Sequence, residues 1–134
     1  MRPTAVQHIL DEVKQNGDAA LHEFAKKFDR ADPDSFEIPY ADLKECENNL
    51  RKNKTSVYDA LCRSRDLALK FAYKQKECFT DFEIELTDGL FTGQKNIPVE
   101  RAGLYVPAGS FPLLSSVVMT SSPAKAAGCK EIIL

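Results

Sequence analysis

Gly103-Leu104-Tyr105-Val106-Pro107-Ala108-Gly109-Ser110-Phe111-Pro112, running on into Leu113-Leu114-Ser115-Ser116-Val117-Val118-Met119, is the stretch that decides the fold. Tyr105 and Val106 suit a buried strand, because aromatic and β-branched side chains pack well on a pleated surface. Pro107 and Gly109 break that strand, and Pro112 fits the first turn of a helix, where a missing N–H leaves no bond unmade. A strand that turns through glycine into a helix N-terminus points free N–H groups and the positive end of the helix dipole at whatever lies there. Gly103, Gly109 and Gly128 do not give the dinucleotide spacing G-x-G-x-x-G. The residues alone therefore admit two readings, an anion- or nucleotide-binding turn and an ordinary strand–helix connection.

Working outward towards the C-terminus, Leu113 to Ala127 reads as a helix with a wide apolar face. Pro123 lies inside it and should kink it by removing an N–H and crowding the Met119 carbonyl. Gly128 ends the helix, and Lys130 to Leu134 reads as a second buried strand. Ala102 to Leu134 is thus one βαβ crossover, expected to be right-handed. The sequence ends inside that last strand, which suggests the front piece of a longer protein.

Towards the N-terminus, Val6, Ile9, Leu10 and Val13 form one stripe at helical spacing, predicting a helix over Thr4–Gln15. Asn16-Gly17 stops it with a left-handed glycine cap, and Asp18 caps a second helix over Asp18–Phe28. His8 and His22 on these helices read as surface or boundary residues. Ser35 to Ile38 reads as a short strand between Pro33 and Pro39. A modest helix follows over Asp42–Leu50, then a polar basic break at Arg51-Lys52-Asn53-Lys54. Thr55 or Ser56 caps a long helix over Ser56–Glu77 that spans about 33 Å and turns Val57, Leu61, Ala68, Phe71 and Ala72 inward. Phe82 to Leu86 alternates at period two, Asp88-Gly89 is a two-residue hairpin turn, and Leu90 to Lys95 returns as its partner.

The chain has 134 residues, 43% hydrophobic and 28% charged, with a formal net charge of −2. These are ordinary values for a globular domain and carry no basic footprint for nucleic acid. No apolar run reaches the roughly 20 residues that cross a bilayer, and no signal peptide opens the chain. Cys46, Cys62, Cys78 and Cys129 form no C-x-x-C pair, and with two histidines no zinc spacing appears. Free thiols in a reducing cytoplasm are the expectation.

The central motif, with Pro123-Ala124-Lys125-Ala126-Ala127-Gly128-Cys129 after it, resembles the signature stretch of the histidinol dehydrogenase family. Gly17-Asp18-x-Ala20-Leu21, Phe28-Asp29 and Gly93-Gln94 ahead of Pro98 agree with it in order along nearly the whole chain. Ala108 stands where the family has the second residue of Pro-Gly-Gly, and Phe111 where it has a small residue.

The resemblance implies an α/β fold. N-terminal helices and a β-hairpin, residues 1–98, would lead into the first βαβ unit of an incomplete Rossmann-like parallel sheet, residues 99–134. It implies oxidation of L-histidinol to L-histidine in two NAD-linked steps through an aldehyde, in a zinc-dependent cytoplasmic enzyme, with no nucleic-acid or membrane partner. Tyr105 matches the family's cofactor-binding tyrosine. The family's Glu-His pair and zinc ligands would lie beyond Leu134, so no catalytic or metal residue is assigned within the chain and the piece by itself is expected to be inactive. Two other readings stay open: a relative that oxidises another small alcohol, and a non-catalytic scaffold. A crossover with only two strands leaves apolar faces and an unpaired edge, which favours self-association as a homodimer.

Overall fold

A computed structural model describes residues 5–107 and 113–134. The α/β expectation holds: the chain mixes five α-helices with two two-stranded sheets among the described residues. It divides into two compact units, Met1–Glu45 and Cys46–Leu134.

In the first unit, α1 (Ala5–Asn16) and α2 (Asp18–Phe24) follow the two apolar stripes. Gly17 separates them, donating its N–H to the Val13 carbonyl at 2.9 Å. Its φ of 55° comes with ψ −134°, so it is not the left-handed helical cap the sequence suggested. Gly17 itself is the N-cap, and Asp18 stabilises the helix as a first-turn charge near the dipole rather than through a capping bond. The second helix was expected to stay regular to Phe28. Instead Ala25–Asp29 is a π-helical turn. Arg30, left-handed at φ 55°, swings the chain back so that the Ala31 N–H reaches the Ala25 carbonyl at 3.2 Å, and that wide closing bond opens the last turn.

The strand expected over Ser35–Ile38 does not form. The Ser35 hydroxyl accepts the Glu37 N–H at 3.1 Å, a local turn that competes with extended pairing. Phe36 lies against His22, ring centroids 4.8 Å apart, and Asp32 pairs with Lys26 at 3.1 Å.

The third helix, α3 (Tyr40–Asn53), is longer than expected at both ends. The basic residues Arg51 and Lys52 complete its last turn, where cations favour the negative end of the dipole. The break shrinks to Lys54, and α4 (Thr55–Lys76) follows at once. Neither expected cap forms: Lys54 is the N-cap, while the Thr55 hydroxyl donates back to the Arg51 carbonyl at 2.9 Å. The Tyr58 hydroxyl meets Glu47 at 3.4 Å and ties α4 to α3.

The hairpin forms as read. Strands β1 (Phe82–Thr87) and β2 (Leu90–Gln94) pair antiparallel around Asp88-Gly89, with a register shift between Glu85 and Thr87. The βαβ unit is also present. Strand β3 (Arg101–Gly103) lies parallel to β4 (Glu131–Ile133), joined by α5 (Leu114–Ala127). Arg101 faces Glu131 across the pair, with an ion pair at 2.7 Å. Neither strand is buried as expected: Ala102 and Ile132 are half-buried and the other residues of each strand are exposed.

Helix α5 packs on α4. It carries Pro123 without ending, and the Thr120 and Ser121 hydroxyls donate to the Ser116 and Val117 carbonyls at 2.7 and 2.6 Å, binding side chains to the backbone just ahead of the proline. The Lys76 ammonium on α4 donates to the Ala127 carbonyl at 3.3 Å and caps α5 from outside. Gly128 ends α5 in the left-handed region, φ 105°, as the sequence requires. The hydrophobic core among the described residues consists of alanines: Ala20 and Ala25 in the first unit, Ala72 and Ala126 in the second. Buried beside them on α5, the Ser122 hydroxyl has no hydrogen-bond partner among the described residues. Phe71, expected to face inward, is 66% exposed. Its neighbour Ala72 takes the side of α4 that meets α5, and a residue 100° around the helix points away from that contact.

Candidate functional site

The site builds from the end of β3. The Leu104 N–H still reaches the Ile133 carbonyl at 2.7 Å, one residue past the paired strand. The paired strand ends at Gly103 rather than running through Tyr105 and Val106 as the sequence suggested. Tyr105 therefore stands two residues past the C-terminal end of a parallel strand, with 83% of its surface open. In open α/β sheets, ligands sit at that end of the strands.

Leu113 is the N-cap of α5 and makes no side-chain capping bond. No acidic residue occupies the first turn. Its uncapped N–H groups and the positive dipole end thus face no negative side chain of their own, the condition an anion needs there. The intervening residues of the turn, including Ala108, Gly109, Phe111 and Pro112, lie outside the described residues, so the two departures from the family pattern fall there.

Among the described residues, the groups displaced from their ordinary values are Tyr58, Arg65 and Asp81. Tyr58 is raised by its hydrogen bond to Cys62, Arg65 is raised by Asp66, and the Asp81 carboxyl is lowered by two bonds from Asn96. What the arrangement offers is a flat aromatic face and an anion-compatible helix end, which is docking chemistry. A nicotinamide dinucleotide, with rings to cover and a pyrophosphate to neutralise, fits those two features. Zinc does not find a comparable set: among the described residues no group of three or more His, Cys, Asp or Glu lies close enough to hold a metal. His8 and His22 sit near Glu12 and Asp32 respectively, at 4.0 and 3.8 Å, each with one acidic neighbour.

Sequence reasoning missed the clamp that closes the foot of the hairpin ahead of this site. Asp81, just before β1, accepts the Asn96 backbone N–H at 2.8 Å and its side-chain amide at 3.0 Å, just after β2. Polar residues flanking the two strands were its only signal.

Comparison with known proteins gives one answer. The family model described as histidinol dehydrogenase matches residues 2–134. The chain is 38% identical over 130 residues to "Histidinol dehydrogenase homolog 1" of Mesorhizobium japonicum, covering 97% of this chain and 25% of that protein. It is 38% identical over 128 residues to the sulfopropanediol 3-dehydrogenase of Ruegeria pomeroyi, covering 96% of this chain and 28% of the relative. The crystal structure of histidinol dehydrogenase from Elizabethkingia anophelis superposes with a TM-score of 0.79 at 31% identity, over 95% of this chain and 28% of that one. The chain thus spans between a quarter and a third of the length of these relatives. By the family match over residues 2–134 and a shared fold, the chain belongs to the histidinol dehydrogenase family.

Proposed function

We propose that the polypeptide to which this sequence contributes is an NAD- and zinc-dependent dehydrogenase that oxidises L-histidinol to L-histidine in two steps, acting in the cytoplasm as a homodimer. The observation that carries the cofactor part is the placement of Tyr105: an open aromatic ring just past the C-terminal end of β3, ahead of the uncapped start of α5. Bound NAD supplies the hydride acceptor for each of the two oxidations. The work of this chain is positional. Tyr105 covers apolar area of the cofactor and keeps water from it, while the N–H groups at the start of α5 neutralise pyrophosphate charge. Zinc ligands and the acid–base pair belong to residues other than those described.

In this reading residues 99–134 open a Rossmann-like domain and residues 1–98 form a helical and hairpin segment ahead of it. That boundary marks where the parallel sheet begins. It is not a boundary of packing, because α4 lies against α5.

A second substrate is favoured by one observation: identity to the Ruegeria sulfopropanediol dehydrogenase equals that to the Mesorhizobium homolog, 38%. The experiment is NAD reduction by a longer protein carrying this sequence, with L-histidinol and sulfopropanediol offered in parallel. Turnover of L-histidinol with two NAD consumed per substrate supports the proposal. Turnover of sulfopropanediol alone transfers the assignment to the second reading, and no NAD reduction with either rejects both.

A further inference from the structure

We propose that α5 is hinged at residues 120–123, and that the Ser122 hydroxyl is the latch that holds its first segment in place when the cofactor is bound. Pro123 lies inside the helix, so the Met119 carbonyl loses the N–H that would reach it from four residues on. Helices bend sharply at such gaps. The two hydroxyls just ahead are already committed. Thr120 donates to the Ser116 carbonyl at 2.7 Å, with the Val117 carbonyl at 3.4 Å, and Ser121 donates to Val117 at 2.6 Å. Ser122 differs: it is 2% exposed, and its hydroxyl has no partner among the described residues. A buried donor without an acceptor is costly. Three residues before it stands a helical carbonyl without its N–H, within reach of a serine that bonds back along its own helix. One local rearrangement satisfies both groups.

The two ends of α5 are held differently. Past the gap, Ala126 is buried, Ala72 of α4 lines the same cleft, and the Lys76 ammonium of α4 donates to the Ala127 carbonyl at 3.3 Å. Ahead of the gap, a cavity of about 350 Å³ runs beside the first segment, lined by Val57 and Leu61 of α4 and by Leu114 and Val118 of α5. The last turn is therefore the fixed end, and the first segment has room to move. Residues 114–120 span about 9 Å, so a bend of about 20° carries the start of α5 about 3 Å. That distance separates a hydrogen bond from none. The motion shifts the uncapped N–H groups of α5 relative to Tyr105. What the hinge serves rests on the cofactor reading above; the hinge itself does not.

The test uses a longer protein carrying this sequence, with Ser122→Ala and Pro123→Ala made singly. The readouts are NAD titration, thermal melting and backbone hydrogen exchange along α5. Ser122→Ala removes a hydroxyl that is unpartnered without NAD and bonded with it. It should leave the melting point of the free protein unchanged or higher, while NAD affinity falls about fivefold, the size of one hydrogen bond. In the free protein, the amides of residues 117–122 should be protected about tenfold less, relative to their intrinsic rates, than those of residues 125–127. NAD should narrow that gap. Pro123→Ala gives the Met119 carbonyl its donor and should narrow the gap without NAD. NAD affinity unchanged by Ser122→Ala, or a melting point lowered by it, overturns the latch and makes Ser122 a packing residue. Uniform protection along α5, or a gap that Pro123→Ala leaves intact, overturns the hinge. A parent protein that binds no NAD rejects the cofactor reading and the latch with it, and the exchange contrast between parent and Pro123→Ala then decides the hinge by itself.

Discussion

Asp81 and Asn96 close the foot of the hairpin: one carboxylate oxygen accepts both the backbone N–H and the side-chain amide of Asn96, at 2.8 and 3.0 Å. Two donors on one oxygen favour the ionised form, so the Asp81 carboxyl lies below its ordinary value of 3.8. A carboxyl lowered on folding contributes stability that is present above its unfolded pKa and lost as pH falls through its folded pKa. The protection of the Asn96 amide relative to its intrinsic exchange rate should therefore hold at neutral pH and fall on acidification below 3.8. Asp81→Asn should remove that pH dependence. Retention of the acid transition in the variant would show that another carboxylate is responsible.

The contact between α4 and α5 makes a second prediction. Ala126 is 2% and Ala72 6% exposed, and both line the same cleft. Small side chains here let the helices approach closely. Ala126→Leu adds volume at a site with little room and should destabilise by about 1–3 kcal/mol. Chemical denaturation checks it. An unchanged midpoint would mean that the helices separate freely to accept the side chain.

Gly128 gives a third. Its φ of 105° lies where side chains are strained, although a Cβ there would meet only Pro98 at an ordinary 3.7 Å. Gly128→Ala should cost about 1–2 kcal/mol through backbone conformation alone. Because the substitution creates no clash, Gly128→Asn should recover part of the loss. Equal losses for both would point to packing rather than φ.

The elements legible in sequence were those whose signal is local. The stripe from Val6 to Val13, the long run from Thr55 to Lys76, and Asp88-Gly89 each specify their structure through spacing or turn chemistry, and each formed. What failed was burial. Phe71 and Met119 lie on helices that exist, yet both are more than half exposed, because an apolar stripe reports which face seeks cover and not whether cover is present. Ser35–Ile38 failed for a different reason: a serine hydroxyl two residues from a free N–H offers a turn at no loop-closure cost, while a strand needs a distant partner. For the site, the βαβ unit was readable, but the extent of β3 was not. Its pairing ends at Gly103 opposite Ile133, although Tyr105 and Val106 suit a strand.

The central claim is that Tyr105 serves the cofactor and not the core, and one paired measurement tests it: NAD titration and thermal melting of Tyr105→Ala in a longer protein carrying this sequence. A ring that serves the cofactor rather than the core should alter stability by no more than about 0.5 kcal/mol on removal, as for an ordinary surface substitution. NAD affinity should fall about tenfold, the equivalent of roughly 1.4 kcal/mol of aromatic contact. A melting point lowered by the roughly 3–5 kcal/mol of a buried aromatic truncation, with NAD affinity unchanged, would contradict the account and return Tyr105 to the role of a packing residue.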